Sequence, residues 1–189
     1  MIKILLTILV IGALTSCSKS EKYASVIING IEYAEIRESN PLAEAPSTRL
    51  MVFKDVKAAM YRTYLESLTA GYPDFKIEFW LLLDENSKPE INKTYKLLGG
   101  IVSREHDWRS TITRLKEDLP NGYDGIVYCF KDGVDESFLL EGTFELERYE
   151  SNTEYYYGSY MLVNSTKEDE MLNIKGNFKF VENITQLDY

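Results

Sequence analysis

Histidine is almost missing from this chain: His106 is the only one in 189 residues. That excludes metal centres built from several imidazoles and leaves one candidate ring base for a serine or cysteine nucleophile. Cysteine is nearly as scarce, with Cys17 and Cys129 alone. Positive charge is in deficit, 21 Lys and Arg against 30 Asp and Glu, and such a surface repels nucleic acid phosphates and anionic lipid headgroups. No glycine-rich phosphate loop and no Gly-x-Ser-x-Gly elbow is present, so no cofactor is implied. The chain also lacks a long apolar run. Its clearest one, Ile4–Leu14, has eleven residues, where a membrane-spanning helix needs roughly 20.

That short run has the layout of a secretory leader: Lys3, an apolar core, then small residues before a cysteine. Leu14-Thr15-Ser16-Cys17 resembles the lipobox of bacterial lipoproteins. The resemblance implies cleavage between Ser16 and Cys17, a diacylglycerol thioether on Cys17, and membrane lipid as a partner through that residue. One acyl chain binds marginally and two hold firmly, at about 0.8 kcal/mol per buried methylene. Residues 1–16 thus read as signal peptide, 17–23 as a lipidated polar tether, and 24–189 as a single domain. Removing residues 1–16 takes away one Lys and no acid, leaving 20 basic against 30 acidic side chains and a formal charge of −10. Lys19 and Glu21 match only part of the signal that sends Bacteroidetes lipoproteins to the cell surface. The expected place is the outer membrane, with the periplasmic and surface sides both open. With Cys17 acylated, Cys129 has no disulfide partner, and its setting in Ile126-Val-Tyr-Cys-Phe130 reads as a buried, inert thiol.

Strand signals dominate the rest. Fourteen Tyr and eight Phe stand among alternating apolar positions. Val26-Ile-Ile-Asn-Gly-Ile-Glu-Tyr33 predicts a hairpin on a two-residue turn, because Asn-Gly tolerates positive φ at both positions. Phe75, Ile77, Phe79, Leu81 and Leu83 alternate with Lys76, Glu78 and Trp80, and this run pairs most simply with Ala58–Leu68 across residues 69–73. Val56, Met60, Tyr64 and Leu68 also fit a helix capped by Asp55; the strand reading is preferred. Phe138–Leu146 and Leu172–Phe180 repeat one plan, each with a glycine (Gly142, Gly176) in its apolar row, the mark of a bulge, a bend or a close approach.

One helix is expected after Asp107 as N-cap, with Trp108, Ile112, Leu115 and Leu119 as its stripe and Pro120-Asn-Gly122 as its stop. It should plug an open end or cover a sheet face. The expected fold is mainly β: a curled antiparallel barrel or a β-sandwich of about nine strands with one short helix. The lipobox, the Val-Ile-Ile-Asn-Gly hairpin, Asn92-Lys-Thr-Tyr95, Leu-Glu-Gly-Thr-Phe and Ile-Lys-Gly-Asn-Phe together resemble a group of small lipoproteins of gut Bacteroidetes. That resemblance implies a lipocalin-like or sandwich-like domain and carries over no catalytic residue.

Chemistry-bearing candidates are few. His106, in Arg104-Glu-His-Asp107, reads as a loop or capping residue. Asp132-Gly-Val-Asp-Glu136 looks like a calcium loop but lacks the remaining oxygen ligands at the required spacing, so a solvated turn is the reading. Lys167-Glu-Asp-Glu170 reads as a polar hairpin tip. The better lead is aromatic. Tyr155, Tyr156, Tyr157 and Tyr160, with Trp80, offer amphipathic rings on a sheet surface that could stack on a glycan or anchor an envelope protein. The expected function is therefore a membrane-anchored, non-catalytic binding module. The alternatives are an accessory or structural envelope subunit, marked by an exposed apolar patch, and a carboxylate-dependent hydrolase, which requires two acids, or His106 and an acid, in one cleft.

Overall fold

The computed structural model describes residues 24–35, 49–53, 56–84, 89–153, 155–164 and 172–181. The leader, Ser16, Cys17 and the 167–170 segment lie outside the described residues. Ten strands and one helix follow in the order β1 (Ala24–Ile28), β2 (Ile31–Glu35), β3 (Arg49–Phe53), β4 (Ala58–Ser67), β5 (Phe75–Leu82), β6 (Thr94–Gly99), α1 (Trp108–Glu117), β7 (Gly125–Lys131), β8 (Leu140–Glu150), β9 (Tyr155–Asn164) and β10 (Asn173–Val181).

All ten belong to one sheet, in the order β2-β1-β10-β9-β8-β6-β7-β5-β4-β3, and a further β2–β4 pairing closes it into a ring of nine strands. β4 makes the closure by splitting one edge: residues 58–62 pair with β3 and residues 65–67 with β2. The mainly β fold with a single short helix is as the sequence predicts. One pairing departs from the antiparallel expectation, since β6 and β7 run parallel. The connection between them carries α1, and only a crossover of that length returns the chain to the same end of a sheet.

Local chemistry accounts for the elements. Asn29 and Gly30 take φ of 50° and 83°, and Ile28 faces Ile31 across them, which is the geometry a type I′ turn demands. Asp107 caps α1 by accepting the Arg109 amide at 3.2 Å. Ala58–Ser67 is strand, in register with β5 as expected. The competing helical spacing of 56, 60, 64 and 68 is equally one face of a strand, because steps of four are also steps of two.

The ring interior is filled with side chains. Tyr61, Phe79, Phe144, Tyr160 and Phe178 meet there with centroid separations of 4.8 to 6.2 Å, each such pair adding roughly 0.5–1.5 kcal/mol to its area burial. Gly176 and Gly142 are close-approach positions. A Cβ at Gly176 would strike the Tyr160 ring, and one at Gly142 the Met161 carbonyl. The bulge itself lies further along β8, between Leu146 and Arg148. A second apolar layer forms outside the ring, where Ile112 and Leu115 of α1 pack with Phe53 of β3 and with Met60, Trp80, Ile126 and Tyr128 on the outer face of β4, β5 and β7.

Candidate functional site

Three cross-strand rows on that outer face grade from dry to open. Register aligns Met60, Trp80 and Ile126 in the first, Arg62, Glu78 and Tyr128 in the second, and Tyr64, Lys76 and Phe130 in the third. α1 packs against the first row. The chain leading into α1 covers the second and reaches into the third: the His106 ring stacks on Phe130 at 5.8 Å and meets Tyr128 edge-on at 4.9 Å.

Glu78 occupies the middle of the second row and is 1 % exposed. A bare carboxylate there would be prohibitive. Its oxygens stand 2.9 Å from Arg62 Nε, 2.9 Å from Lys76 Nζ and 3.2 Å from His106 Nε2, and the Trp80 indole donates at 3.5 Å. Burial pushes this acid's pKa up, but the His106 hydrogen bond and the charges of Arg62 and Lys76 outweigh it and lower it to about 2. The other His106 nitrogen, Nδ1, lies 3.2 Å from the Ser103 carbonyl oxygen. Both ring nitrogens therefore face acceptors, and the ring holds the loop to the sheet.

Beyond this network the surface opens into a cleft of about 360 Å³ lined by Tyr64, Asp74, Phe75, Lys76, Arg104 and Asp132. Arg104 forms its flank, pairing with Asp132 Oδ1 at 3.2 Å and donating to the Lys131 carbonyl at 3.2 Å. The loops on either side are sewn together by the Arg104 amide on the Asp135 carbonyl at 2.7 Å and by the Ser137 hydroxyl on the Gly100 carbonyl at 2.6 Å. Lys76, Arg104, Asp74 and Asp132 thus share this cleft with Tyr64 and the edge of the core at Phe75. Such a lining suits recognition of a small ligand with charged or hydroxyl groups. Among the described residues no group of three His, Cys, Asp or Glu side chains is placed to hold a metal ion.

The aromatic residues singled out from sequence do not form one surface. Trp80 is fully buried, stacked on Phe53 at 5.8 Å beneath α1, because the outer face of β5 is covered rather than solvated. Tyr156 and Tyr160 are buried as well, pointing into the ring with the core. Tyr155 and Tyr157 are half-buried on the outer face, and cations already stand over their rings: Lys179 Nζ 4.3 Å from the Tyr155 centroid, and Arg148 Cζ 4.1 Å from that of Tyr157. His106 is neither a solvated loop residue nor a cap, since it is held against Glu78. Asp132 is drawn to Arg104, and the turn that follows takes Gly133 at φ 78°. Cys129 is buried in the ring, and burial pushes its thiol pKa well up.

Sequence reasoning missed Arg62, Lys76, Glu78 and Arg104. The available signal was Trp80 beside Glu78 on the supposedly polar side of β5, a sign that this strand has two covered faces. No family model, no curated protein and no solved structure matches the chain.

Proposed function

We propose that this chain is a lipid-anchored binding protein of the cell envelope. Acyl chains on Cys17 hold it at the outer membrane, residues 18–23 tether it, and the cleft between Lys76 and Arg104 takes a small polar ligand without transforming it. The carrying observation is the cleft itself. Its charged side chains are fixed in advance, Lys76 by Glu78 and Arg104 by Asp132 and a backbone carbonyl, which lowers the ordering cost of binding. Asp74 and Asp132 share the cleft and His106 meets Glu78, the groupings the hydrolase alternative requires; a binding role is favoured because both His106 nitrogens are engaged and Asp132 pairs with Arg104. The test is calorimetric titration of the detergent-solubilised full chain with saccharides, short peptides and small carboxylates. A ligand should emerge whose Kd rises at least tenfold in Arg104→Gln while Tm stays within a few degrees. Ligands insensitive to that change would refute the assignment.

The accessory-subunit reading has its own support. Ile27 on β1 and Met161 and Val163 on β9 are each more than two-fifths exposed on the uncovered face, with Lys175 of β10 between Ile27 and Met161, apolar surface of the sort a protein partner covers.

A further inference from the structure

The half-buried tyrosines have a different use, which follows from strand direction. β1, β9 and β7 all run the same way round the ring, as the pairings through β10, β8 and β6 require. Tyr155 opens β9 and Lys131 closes β7, so the tyrosine patch and the Arg104 cleft occupy opposite ends. Ala24 opens β1 opposite Phe178, and Lys179 and Tyr157 form the next row out along the same two neighbouring strands. The chain therefore enters the fold at the tyrosine end. Tyr157 lies about 3.3 Å beyond the row of Ala24 and Tyr155 about 10 Å beyond it. Cys17 is seven residues before Ala24, a reach of about 25 Å at most.

This end carries Tyr155 and Tyr157 half-buried on the outer face, while Tyr149 pairs with the buried Tyr156 on the opposite face. Arg148 and Lys179 stand over the rings, while Glu150 accepts from the Tyr157 hydroxyl at 3.0 Å and pairs with Arg148 at 3.2 Å. In a chain of net charge −9, Arg148 and Lys179 offset Glu147 and Glu150 among the described residues of this patch, which weakens its repulsion of anionic headgroups. Tyrosine rings combined with cations on long stems are the side chains that settle at the level of lipid headgroups.

We propose that the Tyr155, Tyr157, Arg148 and Lys179 patch rests on the headgroup layer of the membrane and so turns the Arg104 cleft away from the bilayer. The proposal rests on the lipid-anchor reading and goes beyond it, since an acyl anchor on a tether fixes no orientation. The full chain is reconstituted into vesicles of phosphatidylethanolamine and phosphatidylglycerol. Spin labels are placed by Asn152→Cys in the exposed β8–β9 turn or by Val134→Cys at the opposite end, and collision with oxygen and with a water-soluble nickel chelate is measured. Cys129 is buried and stays unlabelled. The label at position 152 should be shielded from nickel at least threefold relative to that at 134, and Tyr155→Ser with Tyr157→Ser should abolish the difference. As a milder variant, Lys179→Gln should reduce it in these vesicles and leave it unchanged in phosphatidylcholine. Equal nickel access at both labels, with acyl chains on Cys17 confirmed by mass spectrometry, overturns the patch while the anchor stands. An unmodified Cys17 thiol and a chain that floats free of the vesicles overturn both.

Discussion

Replacing Glu78 by Gln tests whether the ionic row holds the outer layer in place. The change keeps shape and removes charge, leaving Arg62, Lys76 and His106 crowded around a neutral amide. Removing one member of a buried ionic group costs about 3–5 kcal/mol, so Glu78→Gln should be destabilised by that much at pH 7 in urea unfolding. The pH dependence is a sharper measure. Glu78 has its pKa lowered to about 2 in the fold, against 4.5 ordinarily. A depressed acid stabilises the fold above its unfolded pKa and loses that contribution as pH falls toward the folded one. At roughly 1.4 kcal/mol per pH unit, the contribution is about 3 kcal/mol, complete above pH 5 and gone near pH 2. Other carboxylates titrate in the same range, so the informative quantity is the difference between wild type and Glu78→Gln. From pH 6 to pH 2.5, half a unit above the folded value, that difference should shrink by about 2.5 kcal/mol. Two stability curves running parallel over this range would show that Glu78 is no better paired in the fold than in the unfolded chain.

Two further perturbations probe the ring interior. Gly176→Ala puts a methyl group into the Tyr160 ring and should lower stability by about 1–3 kcal/mol, read as a fall in Tm; an unchanged Tm would mean that Tyr160 does not lie over Gly176. Cys129, buried and with its thiol pKa raised by burial, should resist iodoacetamide at pH 8 in the folded protein and react once the chain is unfolded in urea. Rapid labelling of the native protein would place it outside the core.

The first hairpin, the capped helix and the alternating strands were legible because each depends on residues close in sequence: Asn29-Gly30 on its own φ preferences, Asp107 on an amide two residues on. The site was not legible, because its parts are joined by sheet register. Glu78 meets Arg62 across β4, Tyr128 across β7 and His106 from a loop, and no local pattern encodes those meetings. Trp80 shows the same limit. Period-two alternation tells which side of β5 it takes, and only the packing of α1 tells that the side is dry.

Among the described strands the nine of the ring pair on both sides and β3 pairs with β4 alone, so an unpaired edge is confined to that short strand, and the five rings at the centre leave recognition to the outside. On the outside, concavity arises where a covering layer stops. α1 and the segment before it cover two rows and reach into the third, and the step down from that layer is the cleft. Glu78 sits one row behind the step. Because its carboxylate binds sheet residues Arg62 and Lys76 as well as loop residue His106, it fixes the loop's position over the sheet, and with it the place of Arg104 at the rim. Glu78→Gln should therefore loosen the loop before it unfolds the ring. In amide exchange at pH 7, His106, whose amide donates to the Ser103 carbonyl, should lose protection while Phe79 and Phe144 keep theirs. Equal loss at all three would mean that Glu78 supports the whole fold rather than this rim.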